Sequence, residues 1–477
     1  MSDNLAERNV RPAPDTELVT IAEYIAHYSI KSPLAYSTAR YCLMDALGCA
    51  IVALQYPACK KLVGPIIPGT IVPHGARIPG TGDECDPIQA AFCIGSQVRW
   101  LDFNDTWLAA EWAHPSDNLG AILALSDYIS RKDHASLTMH TVLTAMIKAY
   151  EIQGILALEN SFNRVGLDHV ALVKVASAAV CMQLLGGTMD DIINVTSQAF
   201  IDGHSLRTYR HAPNTGTRKS WAAGDATSRG LRLAWLTHLG EMGYPSALSV
   251  PKWGFNDVLF HGQSLKIPQP LQSYVMENIL FKIAYPAEFH AQTAIECAIA
   301  LYPQIMKRID KIAKIILTTQ EPAVRIISKT GPLHNPADRD HCLQYMVAVA
   351  LLFGDVRAEH YEDTTARNPR IDWLRERMFV QEDVQFSRDY LDPTKRSIAN
   401  AIQIYFTDGT HTEKIQLDYP LGHRQRRTAG IPLLIEKFKR NLSPQFSIDK
   451  INQLTTLFLD QPTLEAMPVD DFMQLWV

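Results

Sequence analysis

The spacing of apolar residues changes along this chain, and that change limits the folds the chain can form. As far as about residue 248, apolar side chains recur at helical intervals, as do Met139, Val142, Leu143, Met146, Ile147 and Tyr150. Beyond residue 310 the pattern alternates as in strands, at residues 311–319 and, on either side of a turn at Asp408-Gly409, at 402–406 and 415–417. Helical patterns lie between them, at 339–353 and 372–378. The sequence predicts a large all-α helical domain and a smaller α+β domain.

Chain length agrees with two domains, because 477 residues are too many for one simple core. The stretch 244–270 is dense in Pro and Gly and leads into the second domain. We place the helical domain at residues 1–268 and the α+β domain at 269–424. Residues 425–477 return to helical spacing, and we expect them to pack back on the helical domain.

Charge and hydropathy exclude several classes of protein. The net charge of −5 argues against a nucleic-acid partner or a membrane-surface partner, either of which calls for a basic excess. Residues 1–17 are polar without an apolar core, which is not the pattern of a secretory signal. No uninterrupted apolar run approaches the roughly 18–20 residues needed to span a bilayer. We therefore expect a cytoplasmic protein with no membrane partner.

The cysteines are scattered and form no C-x-x-C pair, which argues against disulfides and against a zinc or iron–sulfur centre. The motifs H-E-x-x-H, G-x-S-x-G, G-x-G-x-x-G and the P-loop are also missing. We expect no metal and no cofactor. The eight cysteines are Cys42, Cys49, Cys59, Cys85, Cys93, Cys181, Cys297 and Cys342.

One segment concentrates polar groups at the entrance to an apolar helix. Residues 100–107 read Trp-Leu-Asp-Phe-Asn-Asp-Thr-Trp, residues 113–118 read Ala-His-Pro-Ser-Asp-Asn, and a run typical of a buried helix follows at 119–125. A helix N-terminus suits an anionic substrate. Equally, Ser116 or Asp117 could cap the helix and His114 could be a satisfied surface imidazole.

A second segment is strongly basic. Between Gly203 and Gly224 there is no Asp or Glu, and the run includes Pro, Asn, Thr and Gly as loops do. Arginine forks on such a loop could grip carboxylates in bidentate fashion, and the alternative is a solvated surface loop. Its basic side chains are His204, Arg207, Arg210, His211, Arg218 and Lys219.

Two further groups carry weaker signals. His169 stands at the start of a helical run, where the helix dipole favours the neutral, base-competent imidazole, although a capping or core role fits as well. Lys282 lies in an apolar setting before Pro286, and the simplest interpretation there is a lysine whose stem is buried and whose amine reaches solvent.

The whole chain resembles the MmgE/PrpD family, and within it the enzymes that dehydrate 2-methylcitrate. The motifs that carry the resemblance are residues 41–48 (YCLMDALG), 102–118, 206–219 (LRTYRHAPNTGTRK) and 335–345 (NPADRDHCLQY). The resemblance implies a large helical domain with a smaller α+β domain, assembled as a homodimer, and an active site between the domains.

The family's site residues carry over by position. The D-F-x-D-T…H-P-S segment of its decarboxylase branch corresponds to Asp102, Thr106 and His114, and the downstream imidazole to His169. Three more positions, Lys219, Lys282 and Tyr345, also match site residues of the family. The chain departs from the decarboxylase branch in one region. Its segment from Lys282 to Pro286 is one residue longer than the corresponding decarboxylase motif, and Glu288 stands where that branch tends to have His.

The implied reaction removes water from a methyl-substituted tricarboxylic hydroxy acid and gives a cis-aconitate-type alkene. Because the proton lies alpha to a carboxylate, cations must neutralise that group. We assign the proton transfer to His114, with Asp102 setting its tautomer, and to His169, with the two imidazoles able to exchange roles. Thr106 and Tyr345 would orient the substrate and Lys282 would add a cation; the carboxylate-binding candidates are Arg207, Arg210, Arg218 and Lys219, with Asn104 beside them.

Two alternatives remain open at this stage. One keeps the fold and site but changes the chemistry to decarboxylation or epimerisation of a related acid. The other is a non-catalytic regulatory protein that binds tricarboxylates.

Overall fold

The computed structural model describes residues 9–133 and 137–477, which form two packed regions. The predicted absence of a secretory signal falls partly on residues 1–8, which lie outside the described part. The helices of the first region are Thr16–His27, Pro33–Ala53, Pro57–Lys60, Pro87–Arg99, Leu119–Asp133, Met139–Glu159, Val170–Leu184, Met189–Ile201, Arg218–His238, Phe255–Leu259 and Tyr274–Asn278. Its strands are the short pairs Ala76–Arg77 with Glu84–Cys85 and Trp107–Leu108 with Trp112–Ala113.

Local signals explain where several of these helices begin. Ser32 accepts a hydrogen bond from the Ala35 amide and is followed by proline, and Asp86 caps the next long helix in the same way. Thr188 and Asp191 form the reciprocal capping box that their spacing predicts. Met139–Glu159 is long and apolar enough, by length and composition alone, to cross a membrane, and it is mostly buried inside the protein.

Close helix packing brings two functional segments together. A Cβ atom at Gly224 would lie 2.4 Å from the Phe92 carbonyl oxygen, so only glycine lets Arg218–His238 approach Pro87–Arg99 this closely. Gly224 therefore serves packing within the chain. The contact places Arg99, at the end of one helix, in the same region as Lys219, at the start of the other.

The second region is built on a four-stranded sheet. Ile312–Thr319 lies at its centre, parallel to Met378–Glu382 and antiparallel to Asn400–Phe406, which pairs in turn with Ile415–Leu417. Three of these strands match the predicted ones. The sequence does not predict Met378–Glu382, which is mostly exposed at the sheet edge and whose first residue falls at the end of the predicted helix 372–378. Its helices are Gln292–Ile305, Glu321–Ile327, Pro336–Arg339, Leu343–Phe353, Asp363–Ala366, Pro369–Arg375 and Val384–Leu391.

One predicted helix is interrupted. The apolar spacing predicts a continuous helix over 339–353, but the chain forms Pro336–Arg339, leaves helical geometry, and begins again at Leu343. Asp340, His341 and Cys342 occupy the break, and all three are buried.

The C-terminal helices Arg427–Leu442, Ile448–Leu459, Gln461–Ala466 and Val469–Gln474 pack into the core of the first region. Lys437, on the first of them, is buried and bonds to the carbonyl oxygens of Phe103 (2.6 Å) and Lys282 (2.7 Å). The same ammonium lies 2.7 Å from Asp45 Oδ1. This lysine therefore joins three separate segments.

Candidate active site

Asp102 stands at the centre of a buried pocket between the two regions. It adopts the left-handed backbone conformation (φ 48°), which Asp tolerates better than most residues. Its Oδ1 accepts a hydrogen bond from Lys282 Nζ and lies at ion-pair distance from Arg99 Nη1, both at 2.6 Å. Burial favours the neutral acid, but the charges of Arg99 and Lys282 outweigh it and hold the pKa of Asp102 well below its ordinary value. The group is therefore a carboxylate.

His114 faces Asp102 from the helical region. The two-stranded ladder pairs Trp107 with Ala113, which sets Thr106 and His114 opposite each other. His114 Nδ1 lies 2.8 Å from the Asp105 carbonyl oxygen, to which it donates, and Nε2 lies 3.8 Å from Asp102 Oδ1. Burial and then the Arg99 charge lower the pKa of His114 well below its usual value, so the imidazole is neutral and Nε2 is free to accept a proton.

A second buried carboxylate, Asp168, organises the basic segment. Arg210 donates to it through Nε and also through Nη2, at 3.2 Å, while Arg207 Nη1 lies 3.5 Å away. Although burial works in the opposite direction, the neighbouring charges hold the pKa of Asp168 well below its ordinary range. Arg207 stacks on the Trp112 ring, and its Nε and Nη1 make no hydrogen bond within the protein. These donors are available to a bound anion.

His169 precedes the helix Val170–Leu184, as predicted, and its ring centroid lies 5.7 Å from that of His114. It is buried, and neither ring nitrogen makes a hydrogen bond. Burial is the main cause that lowers the pKa of His169 well below its usual value, and the charges of Arg207 and Arg210 act in the same direction. The ring is neutral and lines the pocket.

The interrupted helix supplies groups that were not predicted as site residues. Lys219 Nζ bonds to Asp340 Oδ2 at 2.7 Å, and the other oxygen, Oδ1, accepts from His341 Nδ1 at 2.7 Å. His341, Glu288 and Arg99 all line the pocket. His341 belongs to the motif 335–345 that carries the family resemblance, which is its one sequence signal, and Arg99 has no local signal.

Three predicted site residues lie elsewhere. Asn104 is buried one layer behind the pocket, where its amide donates to Ser116 Oγ and Asp117 Oδ1. Arg218 is partly exposed, pairs with Asp225 at 3.1 Å and lies over the Trp221 ring, so its charge is already satisfied away from the pocket. The Tyr345 hydroxyl donates to the His360 carbonyl oxygen and does not line the pocket.

The pocket itself is nearly closed. Its free volume is about 20 Å³, enough for about one water molecule, so side chains must move to admit a tricarboxylic acid. A larger cavity of about 480 Å³ lies beyond the Lys219–Asp340 pair, with Trp100 and Pro286 among its lining residues. Over residues 9–133 and 137–477, no three His, Cys, Asp or Glu side chains are grouped to hold a metal ion.

Two of the buried carboxylates at the pocket are each matched by two cations. Arg99 and Lys282 share Asp102, while Arg207 and Arg210 share Asp168. Glu288 lines the same pocket, and Glu111 lies 3.9 Å from Arg207, so further acidic groups accompany these cations. With neutral imidazoles beside these clusters, the arrangement can bind carboxylates and accept a proton from carbon.

Comparison with known proteins identifies the class. The MmgE/PrpD N-terminal domain matches residues 19–268 and the MmgE/PrpD C-terminal domain matches residues 285–461. The chain belongs to the MmgE/PrpD family, with its mostly helical first domain and a smaller second domain that contains the sheet.

Individual members of the family are similar to this chain over nearly its whole length. The chain is 60% identical to the 2-methylcitrate dehydratase of Escherichia coli K12, over 98% of this chain and 99% of that protein. It is 59% identical to the 2-methylcitrate dehydratase of Salmonella typhimurium LT2, over 99% of both chains. A mitochondrial 2-methylcitrate dehydratase from Yarrowia lipolytica is 53% identical, over 98% of this chain and 91% of that protein.

Proposed function

We propose that this chain is a 2-methylcitrate dehydratase, a hydro-lyase that converts 2-methylcitrate to 2-methyl-cis-aconitate. The observation that carries the proposal is a neutral imidazole, His114, facing a pocket in which two buried carboxylates are each matched by two cations. Near-full-length similarity to proteins of that name supports the same reaction.

Binding of the substrate requires cations, because three carboxylates must leave water. Arg207 offers buried Nε and Nη1 donors that make no hydrogen bond within the protein, and Nη1 lies 3.5 Å from Asp168 and 3.9 Å from Glu111. Arg210 is committed to Asp168, so it holds that carboxylate in place. Lys219 pairs with Asp340 and Lys282 with Asp102, which keeps both cations beside the pocket. We propose that the acid enters by way of the cavity that Lys219 and Asp340 line.

Proton transfer follows from the placement of the imidazoles. The proton to be removed lies on the methyl-bearing carbon, alpha to a carboxylate, and positive charge at that carboxylate stabilises the developing enediolate. His114 accepts this proton through Nε2, because Nδ1 is held as a donor to the Asp105 carbonyl. Asp102 faces the resulting imidazolium and stabilises it. His169, which matches an imidazole of the family's site, is the other ring assigned to proton transfer, as candidate donor to the departing hydroxyl, and the two rings could exchange roles.

The reaction is proposed to need no metal ion. The buried cations perform the charge neutralisation that a metal would otherwise supply. We also propose that the protein acts as a cytoplasmic homodimer, as the family resemblance implies; sedimentation of the purified protein at two concentrations would measure its mass.

A product assay tests the function. Purified protein treated with EDTA and passed through a desalting column is mixed with 2-methylcitrate, and both the conjugated alkene and carbon dioxide are measured. Alkene without carbon dioxide is expected. Carbon dioxide would indicate a decarboxylase, and tight binding without turnover would indicate a regulatory protein. Activity lost with EDTA and restored only by a metal would refute the metal-free mechanism.

A further inference from the structure

His341 is held for proton transfer at a place that the mechanism above leaves unused. The break between Pro336–Arg339 and Leu343–Phe353 brings its ring into the pocket from the second domain. Asp340 Oδ1, 2.7 Å from Nδ1, fixes the tautomer, with the hydrogen on Nδ1. Lys219 holds the other oxygen of Asp340 at 2.7 Å, so the carboxylate cannot turn away.

Asp102 lies between this imidazole and His114. His341 Nε2 is 3.8 Å from Asp102 Oδ2, and His114 Nε2 is 3.8 Å from Asp102 Oδ1. Both separations exceed hydrogen-bond distance, so neither Nε2 is committed to Asp102. Each ring instead uses Nδ1 for an anchoring bond and presents Nε2 to the pocket. Two similarly anchored imidazoles thus approach one carboxylate from different domains.

We propose that His341 is the catalytic residue that donates a proton to the departing hydroxyl, a role for which His169 is the other candidate. The inference rests on the proposed dehydration. His114 takes the proton from the methyl-bearing carbon, that carbon's electron pair forms the double bond, and the C–O bond at the neighbouring carbon breaks. The hydroxyl leaves as water with the proton from His341 Nε2. His341, neutral in the free protein, must first take up a proton on Nε2 when the negatively charged tricarboxylate binds. It then ends neutral, His114 ends protonated, and exchange with solvent restores both.

The surroundings of the two candidate donors favour His341. A donor must carry a proton before the C–O bond breaks, so a carboxylate bonded to the ring assists it and nearby cations oppose it. Asp340 is hydrogen-bonded to His341 at 2.7 Å, whereas His169 makes no hydrogen bond. Asp168 lies 3.4 Å from His169 Nδ1, but that carboxylate is already paired with Arg210 and Arg207, whose charges oppose protonation of His169. Lys219 also opposes protonation of His341, at 3.4 Å from Nδ1, but it is itself paired with Asp340. The substrate carboxylates add negative charge.

Two substitutions separate chemistry from packing. His341→Asn places an amide where Nδ1 was and so keeps the bond to Asp340, but it has no group at the Nε2 position. His341→Gln places its amide near the Nε2 position and cannot transfer a proton. For both variants we expect kcat on 2-methylcitrate to fall roughly 10²–10⁴-fold, with KM within a few-fold of wild type. His360→Gln, which removes an imidazole of the same domain outside the pocket, is the control and should leave kcat unchanged.

A substrate with a different leaving group provides the decisive measurement. An analogue of 2-methylcitrate with fluoride in place of the tertiary hydroxyl needs no proton donor, so both variants should approach the wild-type rate on it. The assignment would be overturned by any of three results: equal losses of kcat on both substrates, recovery of wild-type kcat in His341→Asn, or near-normal kcat in both variants. Wild-type protein that fails to dehydrate 2-methylcitrate would refute the proposed function, and this inference with it. Wild-type turnover with any of the three results above refutes only the role of His341.

Discussion

Replacing Arg210 with Met should destabilise the protein by about 3–5 kcal/mol, the range for removing one partner of a buried ion pair. Asp168 is fully buried, and Arg210 supplies it with two charge-assisted hydrogen bonds. Without them, Arg207 Nη1, at 3.5 Å, His169 Nδ1, at 3.4 Å, and the Val170 amide, at 3.2 Å, still face the carboxylate. Asp168→Asn should cost a similar amount, because it leaves the buried Arg210 guanidinium without its anion.

The double variant provides the test. Removing Arg210 and Asp168 together leaves no unmatched carboxylate, so the combined loss should be smaller than the sum of the single losses by roughly 2–3 kcal/mol. Urea unfolding at pH 7, followed by circular dichroism, measures all four proteins. Arg218→Met is the matched control: its pair with Asp225 is partly exposed, and its loss should stay below about 1 kcal/mol. Single losses that add within about 0.5 kcal/mol would refute the reasoning.

Two other measurements address the imidazoles. His114→Gln should lower kcat roughly 10²–10⁴-fold. The melting temperature should fall by only a few degrees, because one hydrogen bond, to the Asp105 carbonyl, is lost. Near-normal kcat with a large drop in melting temperature would mean that His114 only secures the turn before Pro115. Burial is the main cause that lowers the pKa of His341 to about 4. Because an unfolded histidine has a pKa of about 6.5, the unfolded chain binds more protons than the folded chain below that pH. The free energy of unfolding therefore falls as the pH falls towards 4. The loss of unfolding free energy between pH 7 and pH 5 should therefore be smaller in His341→Gln than in wild type by roughly 2 kcal/mol, and an equal loss in both proteins would contradict a neutral buried ring.

The sequence carries most of the fold because periodicity is a local signal. The helical period, the capping box at Thr188 and the alternation at 402–406 each predict an element that the structure contains. The break at residues 340–342 escaped prediction, since the apolar spacing continues through it. The edge strand Met378–Glu382 escaped because its side chains are mostly exposed and give no alternation.

The candidate site was less predictable, because it is assembled from distant segments. The basic run at 203–224 indicated anion binding, but nothing local distinguishes Arg207, with free buried donors, from Arg218, paired at the surface. Nor does any local pattern indicate that Arg210 is buried against Asp168. The meeting of Arg99 with His341 around Asp102 depends on tertiary packing alone.

Lys437 has a consequence for the order in which the enzyme is completed during translation. Its ammonium ties the carbonyls of Phe103 and Lys282 to Asp45, so it fixes the backbone beside both Asp102 and its lysine partner. A ribosome makes the helix Arg427–Leu442 after all of these segments. Until that helix emerges, Asp45 lacks its cation, and burial, which raises the pKa of Asp45 to about 6 even beside Lys437, favours the neutral acid. We expect a nascent chain stalled before residue 427 to hold most of its helices, yet to leave the loop after Arg99 open to proteases.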